Sequence, residues 1–460
     1  MEHGRADHLR RYRLVTVAVA VAVATIVFAV GAARTAAGAS RADACPSLLA
    51  GKADLGRLAF VDRGQLRVLQ ISTCRVRTLV ASRVVPPVRW SADGRYLAYG
   101  LGSVVSSSGG APTRPLGQLS VGWAGGSPGW VWSSAGHRLA GVTTHGGVVV
   151  GEPGAASRRL LPDGWGATSI AWSPDGQTLA VSRSLYGKAR APSHQEIWLL
   201  NLHSGLKTLL FHLTKPDVAP PWLSGFSPDG RWLLAWEDSQ NSASLAADGL
   251  PLIAIPVNGD KSVLLGRELV YSDFVSWCTN NLLAYVLDNG GRQVTLNDRI
   301  NFAGPPPHWH VITPADPGDK AHLSFISPAC SPSKLHMVVA AAGPAEQDEP
   351  FGHEHRRIWL LPYTGGNWRP LELTPPKDTS DELPLWSRDG RWIAFIRTTW
   401  TGNTGVGRLY LFDIGAHFSR QARTVGPIAN LGVAGTSLRF GFVGNYYGHY
   451  DWAAQIAWYS

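Results

Sequence analysis

Two short stretches of the sequence place histidines two residues apart, a spacing that could hold a metal ion. One is Pro305-Pro-Pro-His-Trp-His310, and the other is Gly352-His-Glu-His-Arg-Arg357. Imidazole nitrogens combined with the carboxylate of Glu354 suit Zn²⁺ or Cu²⁺. Solvated loop histidines are the alternative interpretation. We favour that alternative, so the sequence predicts no metal site and no cofactor.

Gly125-Gly-Ser-Pro-Gly129 has the Gly-x-Ser-x-Gly spacing of a nucleophile elbow. Such an elbow needs a strand, a sharp turn and a helix in an α/β sheet, whereas this stretch lies in a glycine-rich connection before Trp130. The sequence also contains no HExxH motif and no phosphate-binding glycine loop ahead of a helix. We therefore predict no catalytic residue and expect that the chain is not an enzyme.

A repeated turn phrase supplies the elements that would position any site. Its clearest copy is Trp172-Ser-Pro-Asp-Gly-Gln-Thr-Leu-Ala180. Proline presets φ for the first turn position, aspartate caps the turn, and glycine takes the positive φ, so each phrase predicts a strand, a tight turn and a second strand. The turn itself accounts for the acidic residues of the phrase. The other copies, clear or degenerate, begin at Trp90, Trp132, Phe226, Trp277, Cys330 and Trp386.

The spacing of the copies, about 40–55 residues, is that of a four-stranded propeller blade. Residues 57–61, 65–71 and 76–80 look like the last three strands of a further blade. Its first strand would come from the C-terminal stretch, either 437–443 or 455–458, and would close the ring. The sequence therefore predicts an all-β fold, a β-propeller of eight four-stranded blades, with seven blades as the alternative.

The Trp-Ser-Pro-Asp-Gly-x-x-Leu-Ala phrase resembles the WD40-like (PD40) repeat of TolB-like propellers over roughly residues 57–460. The resemblance implies an interaction platform of the cell envelope. The α/β domain that precedes the TolB propeller has no counterpart here, because residues 44–56 leave no room for it. The partners of TolB are therefore not carried over.

Residues 14–33 are uncharged and apolar, and twenty helical residues span about 30 Å, the thickness of a bilayer core. Four arginines precede them, which predicts a cytoplasmic tail over 1–13, a transmembrane signal-anchor over 14–33, a linker over 34–56 and an extracytoplasmic propeller over 57–460. The alternative is secretion after cleavage near residues 37–39.

Of the net charge of +9, residues 1–13 carry +2 and residues 14–43 carry another +1. No block of Lys and Arg follows, so nucleic acid is not an expected partner. Four cysteines outside the cytoplasm predict two disulfides. Cys278 and Cys330 occupy neighbouring positions when the phrases of adjacent blades are aligned. We therefore predict a disulfide between them. The remaining pair would join Cys45 to Cys74, although four cysteines allow three connectivities.

Five intervals are enlarged between the second and third strand of a blade, and they would form one crown of loops on one face of the propeller. They are 184–195, 237–249, 288–308, 343–357 and 398–407. Exposed tryptophans would act as anchors for a partner. The candidate residues of this crown are Trp309, His310, His353, Glu354, His355 and Trp400.

These features favour a membrane-anchored, extracytoplasmic protein–protein interaction or scaffold module that binds an envelope protein. A module that binds a small molecule or glycan at the channel mouth is the first alternative. A propeller enzyme with its active site at the central channel is the second.

Overall fold

The computed structural model describes most of residues 55–459. The chain divides into two compact units, Met1–Ala42 and Asp43–Ser460, and all described elements belong to the second. Within the described ranges no helix has the length and apolarity to cross a membrane. The predicted anchor at 14–33, Cys45 and Cys74 lie outside these ranges. The gaps are 74, 122–128, 187–191, 214–218, 239–248, 269, 280–281, 288–298, 305–310, 313–322, 334–335, 343–354, 363–368, 372–375, 377–378, 402–403, 415–423, 436–444, 447–448 and 451.

The described strands form antiparallel sheets, which we number 1 to 8 in chain order. Sheet 1 contains β1 (Arg57–Asp62), β2 (Gln65–Gln70), β3 (Arg75–Val80) and β33 (Ile456–Tyr459). Sheet 2 contains β4 (Val88–Trp90), β5 (Tyr96–Tyr99) and β6 (Ser103–Ser106). Sheet 3 contains β7 (Trp130–Trp132), β8 (Leu139–Val142), β9 (Val148–Gly151) and β10 (Arg158–Leu161). Sheet 4 contains β11 (Ala167–Trp172), β12 (Thr178–Tyr186), β13 (Pro192–Asn201) and β14 (Lys207–Leu213).

The second half repeats the same plan. Sheet 5 contains β15 (Ala219–Phe226), β16 (Trp232–Asp238), β17 (Leu250–Pro256) and β18 (Val263–Glu268). Sheet 6 contains β19 (Val275–Thr279), β20 (Leu282–Leu287), β21 (Arg299–Ala303) and β22 (Val311–Ile312). Sheet 7 contains β23 (Ser324–Cys330), β24 (His336–Ala342), β25 (Arg357–Pro362) and β26 (Arg369–Pro370). Sheet 8 contains β27 (Thr379–Trp386), β28 (Trp392–Thr401), β29 (Thr404–Asp413) and β30 (Thr424–Gly435).

Four short elements join these sheets near the chain ends and at sheet 6. Two 3₁₀ turns cover Ile71–Thr73 and Ser272–Phe274. A two-stranded ribbon, β31 (Asn445–Tyr446) and β32 (His449–Tyr450), precedes the short helix α1 (Trp452–Gln455), which leads directly into β33.

The fold is an all-β propeller with seven four-stranded blades, sheets 1 and 3 to 8. The expectation of eight four-stranded blades is therefore wrong, because the phrase at Trp90 builds only the three-stranded sheet 2. After β6 the backbone passes through Gly109 and Gly110, both at positive φ, and then reaches Pro112. This stretch makes one isolated bridge, Val104 to Thr113, in place of a fourth strand.

The predicted closure of the ring is confirmed, and the closing strand is the later of the two candidates. β33 pairs with β1 through Leu58 with Trp458 and Phe60 with Ile456. The first sheet therefore combines strands from the two ends of the propeller sequence. Without β33, the inner edge of β1 would be unpaired. The other candidate, 437–443, lies outside the described residues.

The core lies between successive sheets rather than in one central layer. Ala59 and Val68 of sheet 1 pack with Leu97 and Val105 of sheet 2. Comparable clusters join each following pair of sheets, and the last one brings Trp392 of sheet 8 against Leu58 of sheet 1. Each sheet therefore buries both faces, which explains why its middle strands are almost continuously apolar.

The turn phrase forms the tight hairpin that the sequence predicts. In sheet 4, Ser173 Oγ donates to Asp175 Oδ1 at 2.5 Å and accepts the Thr178 N–H at 2.9 Å. Gly176, at a φ of +63°, donates its N–H to the Ser173 carbonyl. The hydrogen bond from Ser173 lowers the pKa of Asp175. The aspartates of the phrase are thus structural parts of the turn.

Two of the five enlarged intervals are hairpins rather than loops. In the interval 184–195, β12 continues to Tyr186 and β13 resumes at Pro192, and Ser184 pairs with Gln195. In the interval 398–407, β28 and β29 stay paired up to Thr401 and Thr404. Polar side chains are compatible with antiparallel strand pairing. The additional residues of these two intervals therefore extend β12, β13, β28 and β29 instead of forming long loops. The other three intervals lie largely outside the described residues.

Candidate functional site

The tryptophan of the phrase links neighbouring inner strands by a hydrogen bond. Trp132 Nε1 donates to the Arg89 carbonyl at 3.1 Å, and Trp172 Nε1 donates to the Val131 carbonyl at 3.1 Å. Trp90 donates in the same way to Ala457 across the ring closure. Arg89 and Val131 immediately precede the phrase position of the previous sheet, and Ala457 immediately precedes Trp458 of β33. The indole therefore sets the spacing of the inner strands, a role that the sequence-based interpretation as an apolar strand end missed.

These inner strands surround two cavities at the centre of the propeller. The larger has a volume of 590 Å³ and is lined from sheets 1, 2, 6, 7 and 8. The smaller has a volume of 380 Å³ and is lined from sheets 2 to 5 and by Ser272. Arg89 and Trp90 line both, so the two cavities are parts of one central channel. A volume of 590 Å³ falls within the usual range of small-molecule sites.

Arg89 and Asp273 are the two charged side chains among the residues that line the larger cavity. Arg89 belongs to sheet 2, and its Nη1 donates to the Ala453 carbonyl at 2.5 Å. Asp273 lies just before sheet 6, and its Oδ2 accepts the hydroxyl proton of the buried Ser327 at 2.6 Å. Sheets 2 and 6 are four sheets apart in the ring, so a cation and an anion stand on different walls of the channel.

Two inner strands beside these charges are irregular. Ser327 in β23 and Leu383 in β27 both have positive φ, and a register shift occurs at each position. Each precedes a proline, Pro328 or Pro384, which cannot donate to the ladder. Bulges of this kind redirect side chains and occur often beside binding sites. Here the bulge in β23 places the Ser327 hydroxyl on Asp273.

Glu268 lies behind the wall that carries Asp273. It is fully buried in β18, and Trp236 Nε1 donates to its Oε2 at 2.8 Å. Burial disfavours the charged form and raises the pKa of Glu268 well above its usual value of 4.5, with a further contribution from the nearby Asp273. Burial therefore favours the protonated form of this carboxyl group, which lies near the channel carboxylate of Asp273.

The predicted pairing of Cys278 with Cys330 is confirmed, and Cys330 lines the larger cavity. Cys330 occupies the phrase position that holds tryptophan in sheets 2 to 4. Its N–H donates to Ser276 Oγ at 3.3 Å, and its sulfur lies 4.0 Å from the Ser276 carbonyl. The disulfide thus joins sheets 6 and 7 at the position where other pairs of neighbouring sheets are joined by the indole hydrogen bond.

The crown residues singled out from the sequence are mostly beyond the described ranges. Trp309, His310, His353 and Glu354 lie outside them. His355 is half-buried, and Trp400 belongs to β28, where it pairs with Gly405. Among the described residues, no group of three or more His, Cys, Asp or Glu side chains could hold a metal ion.

Sequence reasoning missed the charged pair of the channel, Arg89 and Asp273, together with Ser327. One feature of the sequence, two prolines at the ends of inner strands, could have indicated the position of Ser327. Pro328 and Pro384 both stand two residues before a phrase position, at the end of an inner strand where proline is rare. Asp273 has no such signal, because it lies in a connection whose position depends on the closed ring.

No family model and no curated protein match the sequence. Among solved structures, dipeptidyl peptidase 4 of Porphyromonas gingivalis is similar with a TM-score of 0.50 and 12% identity, over 80% of this chain and 56% of the peptidase. A eukaryotic initiation factor is similar with a TM-score of 0.51 and 14% identity, over 78% of this chain and 83% of the factor. At such identities the likeness shows the β-propeller fold alone.

A TolB-type protein of Agrobacterium tumefaciens is also similar, with 17% identity over 69% of this chain and 89% of that protein. Its TM-score of 0.32 is too low to support an argument. The neighbours include this TolB-type protein, and no family model supports the PD40 repeat.

The comparison with the peptidase corrects the prediction that the chain is not an enzyme. A similar propeller fold is part of the Porphyromonas gingivalis dipeptidyl peptidase 4. The lack of a recognisable catalytic motif in a propeller sequence therefore does not exclude catalysis.

Proposed function

We propose that this protein is an extracytoplasmic binding module, anchored to the membrane by residues 14–33, that takes a small polar molecule or glycan into its central channel. The cavity of 590 Å³ with Arg89 on one wall and Asp273 on another carries the proposal. Ligand sites of this size are mostly apolar, with a few convergent polar groups that fix orientation. The cavity has this composition, since Trp90, Trp386 and Leu385 line it as well.

The test uses the full-length protein in detergent and a panel of saccharides, amino acids and polyols. A ligand should raise the melting temperature of the protein and change its tryptophan fluorescence, since Trp90 and Trp386 line the cavity. Asp273→Asn, which keeps a hydrogen-bonding oxygen for Ser327, should weaken binding about tenfold or more.

Asp260→Asn is the matched control, because it makes the same chemical change in an exposed turn that does not line the cavity. It should leave binding unchanged. If no compound of the panel binds, or if both variants bind as tightly as the wild type, the channel is not the ligand site.

A second candidate function is the binding of an envelope protein through the crown. The hairpins β12–β13 and β28–β29 support it, because they extend toward the face opposite the turn phrases and their paired strands are stiffer than free loops. Long, rigid projections on one face are suited to contact with a protein surface. Cross-linking in intact membranes should then join a recurrent partner to residues 184–195 or 398–407. Cross-links scattered over the whole surface would contradict this function.

A further inference from the structure

The first two sheets and their connections hold the net positive charge of the propeller. Residues 55–121 include nine arginines, no lysine and two acidic residues, Asp62 and Asp93. Both acids are already engaged. Asp62 pairs with Arg63 and Arg67, and Asp93 accepts hydrogen bonds from Ser91 and binds the His137 ring. Nine arginines against two acidic residues give this sector a net charge of +7.

Four of these arginines face the boundary between sheets 1 and 2, and we call them the arginine groove: Arg57, Arg75, Arg77 and Arg95. In sheet 1, Gln70 pairs with both Arg57 and Arg75, and Val68 pairs with Arg77. Paired residues share a face of the sheet. Val68 packs against sheet 2, so Arg57, Arg75 and Arg77 point to that side.

The fourth arginine comes from the opposite side of the boundary. Arg95 is exposed in the turn just before β5, the strand whose Leu97 packs against sheet 1. The guanidinium of Arg77 donates to the carbonyls of Ser107 and Ser108, and the Ser107 N–H donates to the Arg95 carbonyl. These bonds tie Arg77 and Arg95 into one surface.

The arginines of the groove differ in whether their guanidinium groups contact other parts of the protein or only solvent. Arg57 is held between the rings of Trp90 and Tyr459, at 4.7 and 5.2 Å, and donates to the Gly94 carbonyl. Arg75 and Arg95 are exposed, and within the described residues their side chains make no hydrogen bond or ion pair. Two guanidinium groups are thus presented to solvent beside two that are fixed.

The groove is bordered by β3, the outermost strand of sheet 1. Within the described part of the chain no strand pairs with its outer edge. Its exposed side chains include Val76, which is 47% accessible. An extended segment can add to such an edge through backbone hydrogen bonds, while alternate side chains provide specificity. Arg75 and Arg77, two residues apart, would meet alternate side chains of an added strand.

Another outer strand shows why this pattern is particular to sheet 1. β10 also contains two arginines, Arg158 and Arg159, but they are adjacent and therefore point to opposite faces. Arg159 is also paired with Asp163 at 2.6 Å. The charge of β10 is thus divided and partly neutralised, whereas that of β3 is concentrated on one side.

We propose that the arginine groove is a docking site for an extended acidic segment of a partner protein, which adds to the edge of β3 and pairs its carboxylates with Arg75 and Arg95. Charge complementarity selects the partner, because guanidinium groups bind carboxylates through paired N–H donors. The open strand edge selects an extended peptide over a compact anion. This site is separate from the central channel and does not depend on the ligand proposed there.

The test measures binding of a fluorescent six-residue peptide of alternating Glu and Thr, matched to the length of β3, to the full-length protein in detergent. The peptide should bind, and raising the salt from about 0.05 M to about 0.5 M should weaken it. The double variant Arg75→Gln/Arg95→Gln should lose roughly five- to tenfold in affinity. A Gln-Thr peptide should bind much more weakly, and so should a Glu-Pro peptide, in which every second residue lacks the backbone N–H donor.

Arg158→Gln/Arg159→Gln is the matched control, since it removes the same charge from another outer strand. It should bind the acidic peptide like the wild type. The proposal is overturned if both double variants lose the same affinity or if the neutral peptide binds equally well. It is also overturned if anionic phospholipid vesicles bind in an Arg75- and Arg95-dependent way while the acidic peptide does not.

Discussion

At the scale of single residues, the serine organises the hairpin in each turn phrase that contains both Ser and Asp. Its hydroxyl donates to the aspartate and accepts a backbone N–H five residues further on, as in Ser227 with Asp229 and Trp232. The sequence predicted these turns because the spacing of Ser, Pro, Asp and Gly is local. It did not predict the link made by the tryptophan, since the acceptor belongs to the previous sheet.

We expect Trp172→Phe to lower the free energy of unfolding by about 1 kcal/mol, because the Val131 carbonyl loses its indole donor while the aromatic ring stays buried. Urea denaturation followed by circular dichroism measures the change. Phe226 is a natural comparison, since this phrase already lacks a donor, and Phe226→Leu should change only packing. A Trp172→Phe variant as stable as the wild type would show that the indole hydrogen bond has no net effect.

The buried Glu268 gives a pH dependence whose sign can be worked out. Its folded pKa lies above the usual 4.5, so between these two values the unfolded chain releases a proton that the folded chain keeps. The free energy of unfolding therefore falls as the pH rises through this window. Glu268→Gln, which retains an acceptor for Trp236, should remove this fall. Melting temperatures from about pH 4 upward test it, with Asp260→Asn as the exposed control.

At the scale of elements, the disulfide between β19 and β23 replaces a contact that other neighbouring sheets make through an indole. It closes a separation of 52 residues, which corresponds to about 4 kcal/mol in the chain-entropy account. Cys278→Ser/Cys330→Ser should therefore unfold at a clearly lower urea concentration than the oxidised wild type. Added reductant should change this double variant less than the wild type, and equal midpoints for the two proteins would contradict the expectation.

The elements also show where sequence reasoning stops. Strand type and order follow from the phrase, because each copy contains its own turn chemistry. The three-stranded sheet 2 was missed, since the phrase at Trp90 is a good copy and the loss of the fourth strand depends on Gly109, Gly110 and Pro112 further on. The candidate site was missed for a different reason. Arg89 and Asp273 are 184 positions apart in the sequence, and they line the same cavity only because the ring of sheets closes.

At the scale of the whole molecule, the proposed location predicts how the chain is held. If residues 14–33 form a retained anchor, full-length protein should stay in the membrane fraction after alkaline carbonate extraction, and protease added to intact cells should reach the propeller. Replacing Ala20 and Val23 by lysine should abolish this association, since a charge at the centre of a span costs about 3 kcal/mol. Recovery of a shorter, soluble wild-type chain in the medium would instead indicate cleavage.

The pairing of β1 with β33 also has a consequence for synthesis. A ribosome adds about 5–20 residues per second, so roughly 20–80 s pass between the appearance of β1 and that of the strand that completes its sheet. During this interval β1 has an open inner edge, and a chaperone that shields it would prevent pairing between nascent chains. Premature termination before Ile456 would leave the sheet open permanently, which marks the product for proteolysis.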